Sequence, residues 1–315
     1  MLCAIIFKEP DAFLDFSISF LFSLCLGLIL TLVCDSAKKE TLGWMHGMVV
    51  VALSWIVAMF LGALPMWLSG HWLSFLDACF ESMSGFATTG LVLAQDIDHI
   101  SYSCNLWRHL IMFIGGQGIV IIVLSFMTGV TGGSFSLYLG EGREDRILPN
   151  LIQTARFIWL VSFVYLILGS LALAVSMFLG GMPGKDSLFQ GLCIFMAAFD
   201  TGGFSPQTQN ILYYHSGLVE SVSMVIMLWG ALSFSLHYVL WTGNKKVIFK
   251  DIELRTFLIS IIALFIIILF GLGHDRIYNS SAALFRKGFF HLISAHTGTG
   301  YATVYAKDFT TIWNP

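Results

Sequence analysis

Charged side chains are scarce in this sequence. Asp, Glu, Lys and Arg make up only 11% of its 315 residues, whereas an ordinary soluble domain carries about 25%. Hydrophobic residues make up 57% of the chain, and the mean hydropathy is +0.82. The apolar runs are continuous and about 20 residues long, which indicates membrane-spanning helices rather than the alternating strands of a barrel. The composition predicts an all-α integral membrane protein in the lipid bilayer, and no basic cluster suggests a nucleic-acid partner.

Catalytic motifs are also missing. The sequence has no H-E-x-x-H motif, no Gly-x-Gly-Asp pair and no Ser-centred elbow, so it offers little to the alternative of an intramembrane protease. The six cysteines have neither metal-like nor disulfide-like spacing, and most lie in apolar runs, as small buried hydrophobes do. We therefore expect no enzyme activity, no catalytic residue and no bound organic cofactor.

The apolar runs predict membrane-spanning helices separated by short polar loops. A short polar lead, residues 1–12, precedes them, and the second helix is expected to stop at Pro65 because helices tend to end near proline. The predicted spans are residues 13–34, 47–66, 107–129, 157–180, 217–241 and 256–273. The corresponding domains are an N-terminal helix and cytoplasmic loop (1–46), a first pore repeat (47–130), a cytoplasmic loop (131–156), a second pore repeat (157–241), and a loop with an incomplete third repeat (242–315).

A broken segment, Phe75–Asp98, lies between the second and third spans. Its first half has apolar residues at helical spacing. Its second half, Ser84–Gly90, contains two glycines and two threonines, which favour irregular backbone. At membrane depth such backbone is tolerated only where it is buried in protein or lines a water-filled cavity. The segment therefore predicts a re-entrant hairpin, in which half a helix enters the membrane and a strand-like segment leaves it.

The hairpin pattern recurs twice. Ala197–Ser205 and Ser294–Ala302 align without gaps to Ser84–Val92, within further hairpins at 186–205 and 282–302. The aligned glycines are Gly90, Gly203 and Gly300. Each unit of span, hairpin and span returns to the side on which it started, so the units are predicted to be parallel repeats around one central pore.

The distribution of charge predicts the topology. Loops 35–46, 131–156 and 242–255 carry nine of the sixteen Lys and Arg residues, so they are expected to be cytoplasmic. The hairpins then open to the outside, together with twelve of the nineteen acids, which favours the entry of cations. Backbone carbonyls can replace the water around a cation, and the partial negative end of each half-helix faces the same path. The alternative is that the hairpins are glycine-rich helix breakers used for packing.

The sequence resembles the Trk/Ktr/HKT superfamily of potassium transporters, and most closely its TrkH-like bacterial members. The resemblance is sharpest at Leu64-Pro65, Phe80–Ser82, Ser84–Gly90, Trp107-Arg108 and Gly115–Ile119. It implies potassium uptake across the bacterial cytoplasmic (inner) membrane through a selectivity filter of backbone carbonyls, with a preference for potassium over sodium because Gly90, Gly203 and Gly300 are all glycine. The implied filter residues are Thr88, Thr89, Gly90, Thr201, Gly202, Gly203, Gly298, Thr299 and Gly300.

The same resemblance implies partners. The intact protein is expected to form a homodimer and to bind a cytosolic nucleotide-binding regulatory subunit of the TrkA type, through loops 131–156 and 242–255. Family members have four span–hairpin–span units and, in TrkH-like members, an additional N-terminal helix. We therefore expect a chain truncated at its C-terminus and lacking that first helix. The alternative function is a non-conducting fragment or a structural membrane subunit.

Several polar residues near the hairpins have competing interpretations. Asp200 either attracts cations or is a structural acid behind the filter, and the sequence leaves both open. Glu81 is expected to accept backbone N–H bonds in a structural role, and His296 is expected to be packed and neutral. The acids expected in a solvated vestibule are Asp77, Asp96 and Asp98. The aromatic residues expected to pack around the filter are Phe86, Phe199, Phe204 and Tyr301.

Overall fold

The computed structural model describes residues 1–34, 44–118, 151–243, 250–274 and 281–304. Within these ranges the regular secondary structure is helical, which confirms the predicted all-α class. The α-helices are α1 Leu2–Phe7, α2 Pro10–Cys34, α3 Trp44–Leu68, α4 Phe75–Phe86, α5 Tyr102–Gln117, α6 Leu151–Leu179, α7 Gly184–Phe199, α8 Gly217–Gly230, α9 Phe234–Trp241, α10 Ile252–His274 and α11 Ser281–His296. Short 3₁₀ helices cover Ile97–His99 and Asn210–Tyr214.

Four of these helices, α2, α3, α6 and α10, are long and apolar enough to cross a membrane. Helices α8 and α9 together could form a fifth span. Many large apolar side chains on α2, α3 and α10 are exposed, as expected for helices that face lipid tails rather than water. The protein is therefore a multi-pass membrane protein. The third predicted span corresponds to α5, which the structure describes only as far as Gly118.

The fifth predicted span is wrong as a single helix. It is divided into α8 and α9, whose axes are bent by 99° at a break of three residues. Gly230 is the last residue of α8 and lies directly against the backbone carbonyl of Phe199. Glycine is a poor helix former, and this close approach leaves no room for a side chain that would favour continuation. The apolar pattern runs through the break unchanged, so it could not reveal it.

Several predicted boundaries also shift. The lead 1–12 contains a short helix, α1, because its residues 2–7 are mostly apolar. Helix α3 continues past Pro65 to Leu68, since a proline in the last turn removes only one hydrogen bond. Helix α6 begins within the loop predicted at 131–156. Helix α10 begins at Ile252, within the loop predicted at 242–255. The parts of the predicted cytoplasmic loops at 35–43, 131–150 and 244–249 lie outside the described residues, as does 119–129 of the third predicted span.

The chain forms two compact units, Met1–Leu160 and Val161–Pro315, and the boundary falls inside α6. In the first unit α4 packs against α3 and α5, and α2 packs against α3. The carboxylate of Glu9 caps the start of α5 by accepting N–H bonds from Tyr102 at 2.7 Å and Ser103 at 3.0 Å. Such caps satisfy backbone donors that a helix cannot satisfy itself.

In the second unit α7 packs against α8, α10 packs against α11, and α8 packs against α11. Arg286 on α11 donates two hydrogen bonds to the carboxylate of Glu220 on α8, from Nε at 2.7 Å and from Nη2 at 2.8 Å. This two-pronged geometry is the strong form of an arginine–carboxylate pair. It attaches the helix that follows the second hairpin to the helix of the third hairpin.

Candidate functional site

The first hairpin consists of α4 followed by a left-handed turn. Thr88 has φ 49°, its N–H donates to the carbonyl of Gly85 at 2.9 Å, and the N–H of Thr89 donates to the carbonyl of Ser84 at 2.8 Å. This pair of bonds is a Schellman motif, which satisfies the last carbonyls of a helix. The N–H groups of Thr88 and Thr89 therefore face the helix.

The second hairpin repeats this geometry at the end of α7. Thr201 has φ 51°, its N–H donates to the carbonyl of Ala198 at 3.2 Å, and the N–H of Gly202 donates to that of Ala197 at 2.9 Å. A β-branched residue is an outlier in left-handed backbone, where glycine or asparagine is usual. Threonine occupies this position in both hairpins, at Thr88 and Thr201. Strain of this kind persists where the surrounding structure imposes it, often at functional sites.

The third hairpin ends α11 in a related way, except that the second donor is Gly300 rather than the residue aligned with Thr89. Gly298 has φ 80°, its N–H donates to the carbonyl of Ala295 at 3.1 Å, and the N–H of Gly300 donates to that of Ser294 at 3.3 Å. The first, second and third hairpins also share a second left-handed residue two positions later. Its φ is 79° at Gly90, 77° at Gly203 and 79° at Gly300.

The structure thus gives one backbone pattern to three segments, which we call the apex segments: 88–90, 201–203 and 298–300. In each apex segment the first and third residues have left-handed backbone and the middle residue does not. Because each segment turns N–H groups toward the end of its own helix, carbonyl oxygens remain available to a ligand. The predicted hairpins are confirmed as helix followed by irregular backbone, and the assignment of these residues to a filter stays a prediction.

The second and third apex segments touch each other. A side chain on Gly203 would overlap the carbonyl oxygen of Thr299, so only glycine fits there. Tyr301 is buried, and its hydroxyl lies 3.0 Å from the carbonyl of Phe204 and 3.2 Å from that of Ile194. The four aromatic side chains expected to pack there are all buried: Phe86, Phe199, Phe204 and Tyr301. Their place around a filter stays a prediction.

A buried carboxylate, Glu81, organises the first hairpin. Its Oε2 atom accepts hydrogen bonds from the backbone N–H groups of Leu93 at 2.8 Å and Ala94 at 2.9 Å, and from the indole N–H of Trp72 at 2.7 Å. Its Oε1 atom accepts a hydrogen bond of 2.6 Å from Nε of Arg108 on α5. The predicted structural role of Glu81 is confirmed, and the carboxylate holds the chain that leaves the first apex segment.

Two glycines bring the following helices onto the ends of the hairpin helices. A side chain on Gly115 of α5 would overlap the carbonyl oxygen of Phe86, the last residue of α4. A side chain on Gly230 of α8 would overlap the carbonyl oxygen of Phe199, the last residue of α7. The first two hairpins therefore share the same close contact with the helix that follows.

Two further polar residues take structural positions. Asp200 is the C-cap residue of α7, between the helix and the apex segment, and both of its interpretations remain open. His296 is packed as expected. Its Nε2 atom lies 2.7 Å from the hydroxyl of Ser260, and its ring meets that of Phe257 edge-on at 5.0 Å. In the described part of the chain, no group of three or more His, Cys, Asp or Glu side chains is arranged to hold a metal ion.

The acids that follow the first apex segment are exposed. Asp96 accepts a 2.7 Å hydrogen bond from His99, and this bond lowers the pKa of the Asp96 carboxyl. Asp98 is also exposed, and Asp77 lies half-buried in the first turn of α4. These positions agree with the predicted solvated acids, which would attract cations.

Sequence reasoning missed two parts of this site. Glu81 bonds Trp72, nine residues before it, and Arg108, 27 residues after it, and no local pattern indicates either partner. A signal did exist: an arginine inside an apolar span needs a buried partner, and Glu81 is a carboxylate in the preceding hairpin. The contact of Gly230 with Phe199 was also missed, although Gly115 marks the same contact in the first unit.

The family model described as TrkH, cation transport protein, matches residues 14–312. The chain belongs to the TrkH family. It is 31% identical over 299 residues to an uncharacterized cation transporter of Methanocaldococcus jannaschii, and the aligned region covers 95% of this chain and 58% of that protein. It is also 30% identical over 311 residues to the Trk system potassium uptake protein TrkG of Escherichia coli, covering 96% of this chain and 61% of TrkG.

The TrkH-family fold is also found in a solved structure. The crystal structure of the potassium transporter TrkH from Vibrio parahaemolyticus superimposes with a TM-score of 0.80 at 24% identity, covering 99% of this chain and 62% of that protein. The chain therefore spans about three fifths of the length of these relatives.

Proposed function

We propose that this chain takes part in potassium uptake across the cytoplasmic membrane of a bacterium, through a filter of backbone carbonyls. The observation that carries the proposal is the common backbone of the three apex segments, in which left-handed residues alternate and N–H groups turn back to the hairpin helix. The names of relatives agree with it, since TrkG is a potassium uptake protein.

The chemistry of the apex segments suits a cation. A potassium ion that enters the membrane must exchange its water for other oxygen ligands, and carbonyl dipoles supply them without a net charge. The hairpin helices also end at the apex segments, so their partial negative ends favour a cation and oppose an anion. No side-chain chemistry is required, which agrees with the glycine and threonine composition of residues 88–90, 201–203 and 298–300.

The glycines support potassium rather than sodium as the transported ion. Gly203 has left-handed backbone and contacts the carbonyl oxygen of Thr299, so any side chain at this position would displace a proposed ligand. By the family resemblance, glycine at all of Gly90, Gly203 and Gly300 accompanies preference for potassium. Glycine is found at each of these positions.

The finer assembly is also part of the proposal. We propose a homodimer and a cytosolic nucleotide-binding subunit that regulates it, because relatives are named as members of a Trk system. The proposed contact surfaces are the loops at 131–156 and 242–255, which carry seven of the sixteen basic residues. Co-purification of the regulatory subunit with the chain, and its loss when the basic residues of these loops are replaced, would support the proposal.

Uptake of rubidium by cells that lack their own potassium uptake tests the proposed function. The cells express the chain, Gly203→Ala, or Gly243→Ala, with membrane insertion measured by blot. Gly243 is the matched control, because its φ of 80° resembles the 77° of Gly203 but no atom lies within 4 Å of an added Cβ. We expect uptake by the chain and by the control, and a loss of about fivefold or more in Gly203→Ala, because overpacking costs roughly 1–3 kcal/mol.

Equal uptake by Gly203→Ala and the chain would contradict the carbonyl filter. Insertion of the chain without any uptake would contradict conduction by this chain and favour the alternative of a non-conducting fragment or structural subunit.

A further inference from the structure

We call the chain that leaves each apex segment its outgoing limb, and in the first hairpin a side chain of the preceding helix holds this limb in place. In the first hairpin the acceptor is Glu81, nine positions before Gly90, and its nearer backbone donor is Leu93, three positions after Gly90. The alignment of the hairpins allows the same two positions to be compared in the other two.

In the third hairpin the corresponding residues are His291 and Thr303, nine positions before and three positions after Gly300. The Nε2 atom of His291 lies 3.2 Å from the backbone nitrogen of Thr303. Its Nδ1 atom lies 2.8 Å from the carbonyl oxygen of Lys287. Because a carbonyl can only accept, Nδ1 carries the proton, which leaves Nε2 of the neutral imidazole free to accept from Thr303. Both ring nitrogens are thus used.

In the second hairpin the corresponding residues are Ile194 and Pro206. Proline has no N–H group. The second outgoing limb therefore lacks the backbone donor that bonds to Glu81 in the first hairpin and to His291 in the third. The position of the acceptor is filled by an apolar side chain, Ile194, which is fully buried. The acceptor is therefore present in the two hairpins that have the donor and absent in the one that lacks it.

We propose that His291 is a positioning residue, which holds the outgoing limb of the third hairpin as Glu81 holds that of the first, and so sets the carbonyl oxygens of residues 298–300. The proposal rests on the proposed function, because the importance of these oxygens depends on a filter. The side chain of His291 does not touch the ion. It acts through the N–H group of Thr303, which follows the apex segment by three residues.

The difference in charge between the two acceptors has a counterpart in their surroundings. Glu81 forms an ion pair with Arg108, and both side chains are fully buried. The arginine of the third hairpin helix, Arg286, is already bonded to Glu220 on α8. A neutral imidazole accepts one N–H bond without bringing a charge that requires a partner. The third hairpin therefore obtains the same hydrogen bond with an uncharged side chain.

Two substitutions separate the hydrogen bond from the bulk of the ring. In His291→Gln the side-chain oxygen extends about as far as Nε2 and can accept from Thr303. In His291→Asn the oxygen extends only as far as Nδ1 and cannot reach it. The two amides have the same chemistry and differ by one methylene group, so each is a matched control for the other. A backbone ester at Thr303, which replaces the N–H by oxygen, removes the donor from the other side.

Hydrogen exchange of the purified chain in nanodiscs measures the bond itself, and rubidium-over-sodium selectivity in cells measures its consequence. We expect peptides covering residues 301–304 to exchange about fivefold faster in His291→Asn, as for one lost hydrogen bond, and at the rate of the unsubstituted chain in His291→Gln. Selectivity should fall in the first and be retained in the second. In a chain that already carries the ester at Thr303, the further change His291→Asn should not lower the rubidium-over-sodium selectivity any more.

Equal exchange in the two variants would overturn the proposal, and so would faster exchange in His291→Asn with unchanged selectivity. A chain that inserts but takes up no rubidium would instead refute the proposed function. The exchange data would then decide whether His291 holds the limb, independently of transport.

Discussion

Removal of the Glu81 carboxylate should destabilise the first unit strongly. Glu81 and Arg108 form an ion pair in which both side chains are 0% exposed. The change Glu81→Ala removes the acceptor of the Arg108 guanidinium and of the N–H groups of Leu93 and Ala94. Because the site is buried, water does not take the place of the lost carboxylate. Breaking a buried ion pair costs roughly 3–5 kcal/mol, and each kcal/mol lowers Tm by about 2–4 °C in a unit of this size. We therefore expect Tm to fall by about 6–20 °C.

The matched control is the other arginine–carboxylate pair. In Glu220→Ala the partner left behind, Arg286, is 52% exposed, so its guanidinium can be hydrated. Glu220 itself is only 4% exposed, but the guanidinium that its removal leaves behind can bind water, so the cost should lie near that of an exposed pair, about 0–1 kcal/mol, and Tm should fall by no more than about 4 °C. Tryptophan fluorescence during heating of the purified chain in nanodiscs measures both. Equal decreases in the two variants would refute the argument that burial sets the cost.

Three further changes test other parts of the structure. Gly115→Ala should lower Tm because its Cβ overlaps the carbonyl oxygen that ends α4, at a cost of roughly 1–3 kcal/mol, whereas Gly27→Ala, with no atom within 4 Å, should leave Tm equal or higher. Thr201→Gly should raise Tm, because it relieves about 1 kcal/mol of strain in left-handed backbone; an unchanged or lower Tm would contradict this. Carbon NMR should show that the pKa of the Asp96 carboxyl lies below its ordinary value and returns toward that value in His99→Ala. The hydrogen bond to the ionised carboxylate stabilises the fold at pH values above the ordinary pKa, and this stabilisation is lost as the pH falls through the lowered pKa.

The hairpins were predictable because their signal is a repeat. One Thr-Gly pair means little, but three aligned copies at Gly90, Gly203 and Gly300 predicted a common backbone, and the three φ values agree. Most spans were also predictable, because continuous apolar runs determine helices in a membrane. The break between α8 and α9 was not, since it leaves the apolar pattern intact and follows Gly230, whose contact with Phe199 joins residues far apart in the chain.

The interactions that hold the hairpins were only partly predictable. The role of Glu81 followed from a carboxylate beside irregular backbone, but its partner Arg108 is 27 residues away, and the packing that joins them is invisible in the sequence. His291 carried no local signal, because a lone histidine on a helix is most often a packed side chain. Its role becomes visible only when its position is compared with that of Glu81.

Rubidium uptake into liposomes that contain only the purified chain tests the carbonyl filter most directly. Radioactive rubidium is added outside, with excess potassium or excess sodium as the competitor. The account predicts uptake above that of empty liposomes, which potassium abolishes and sodium leaves nearly unchanged. Equal competition by the two ions, or no uptake above empty liposomes, would contradict it.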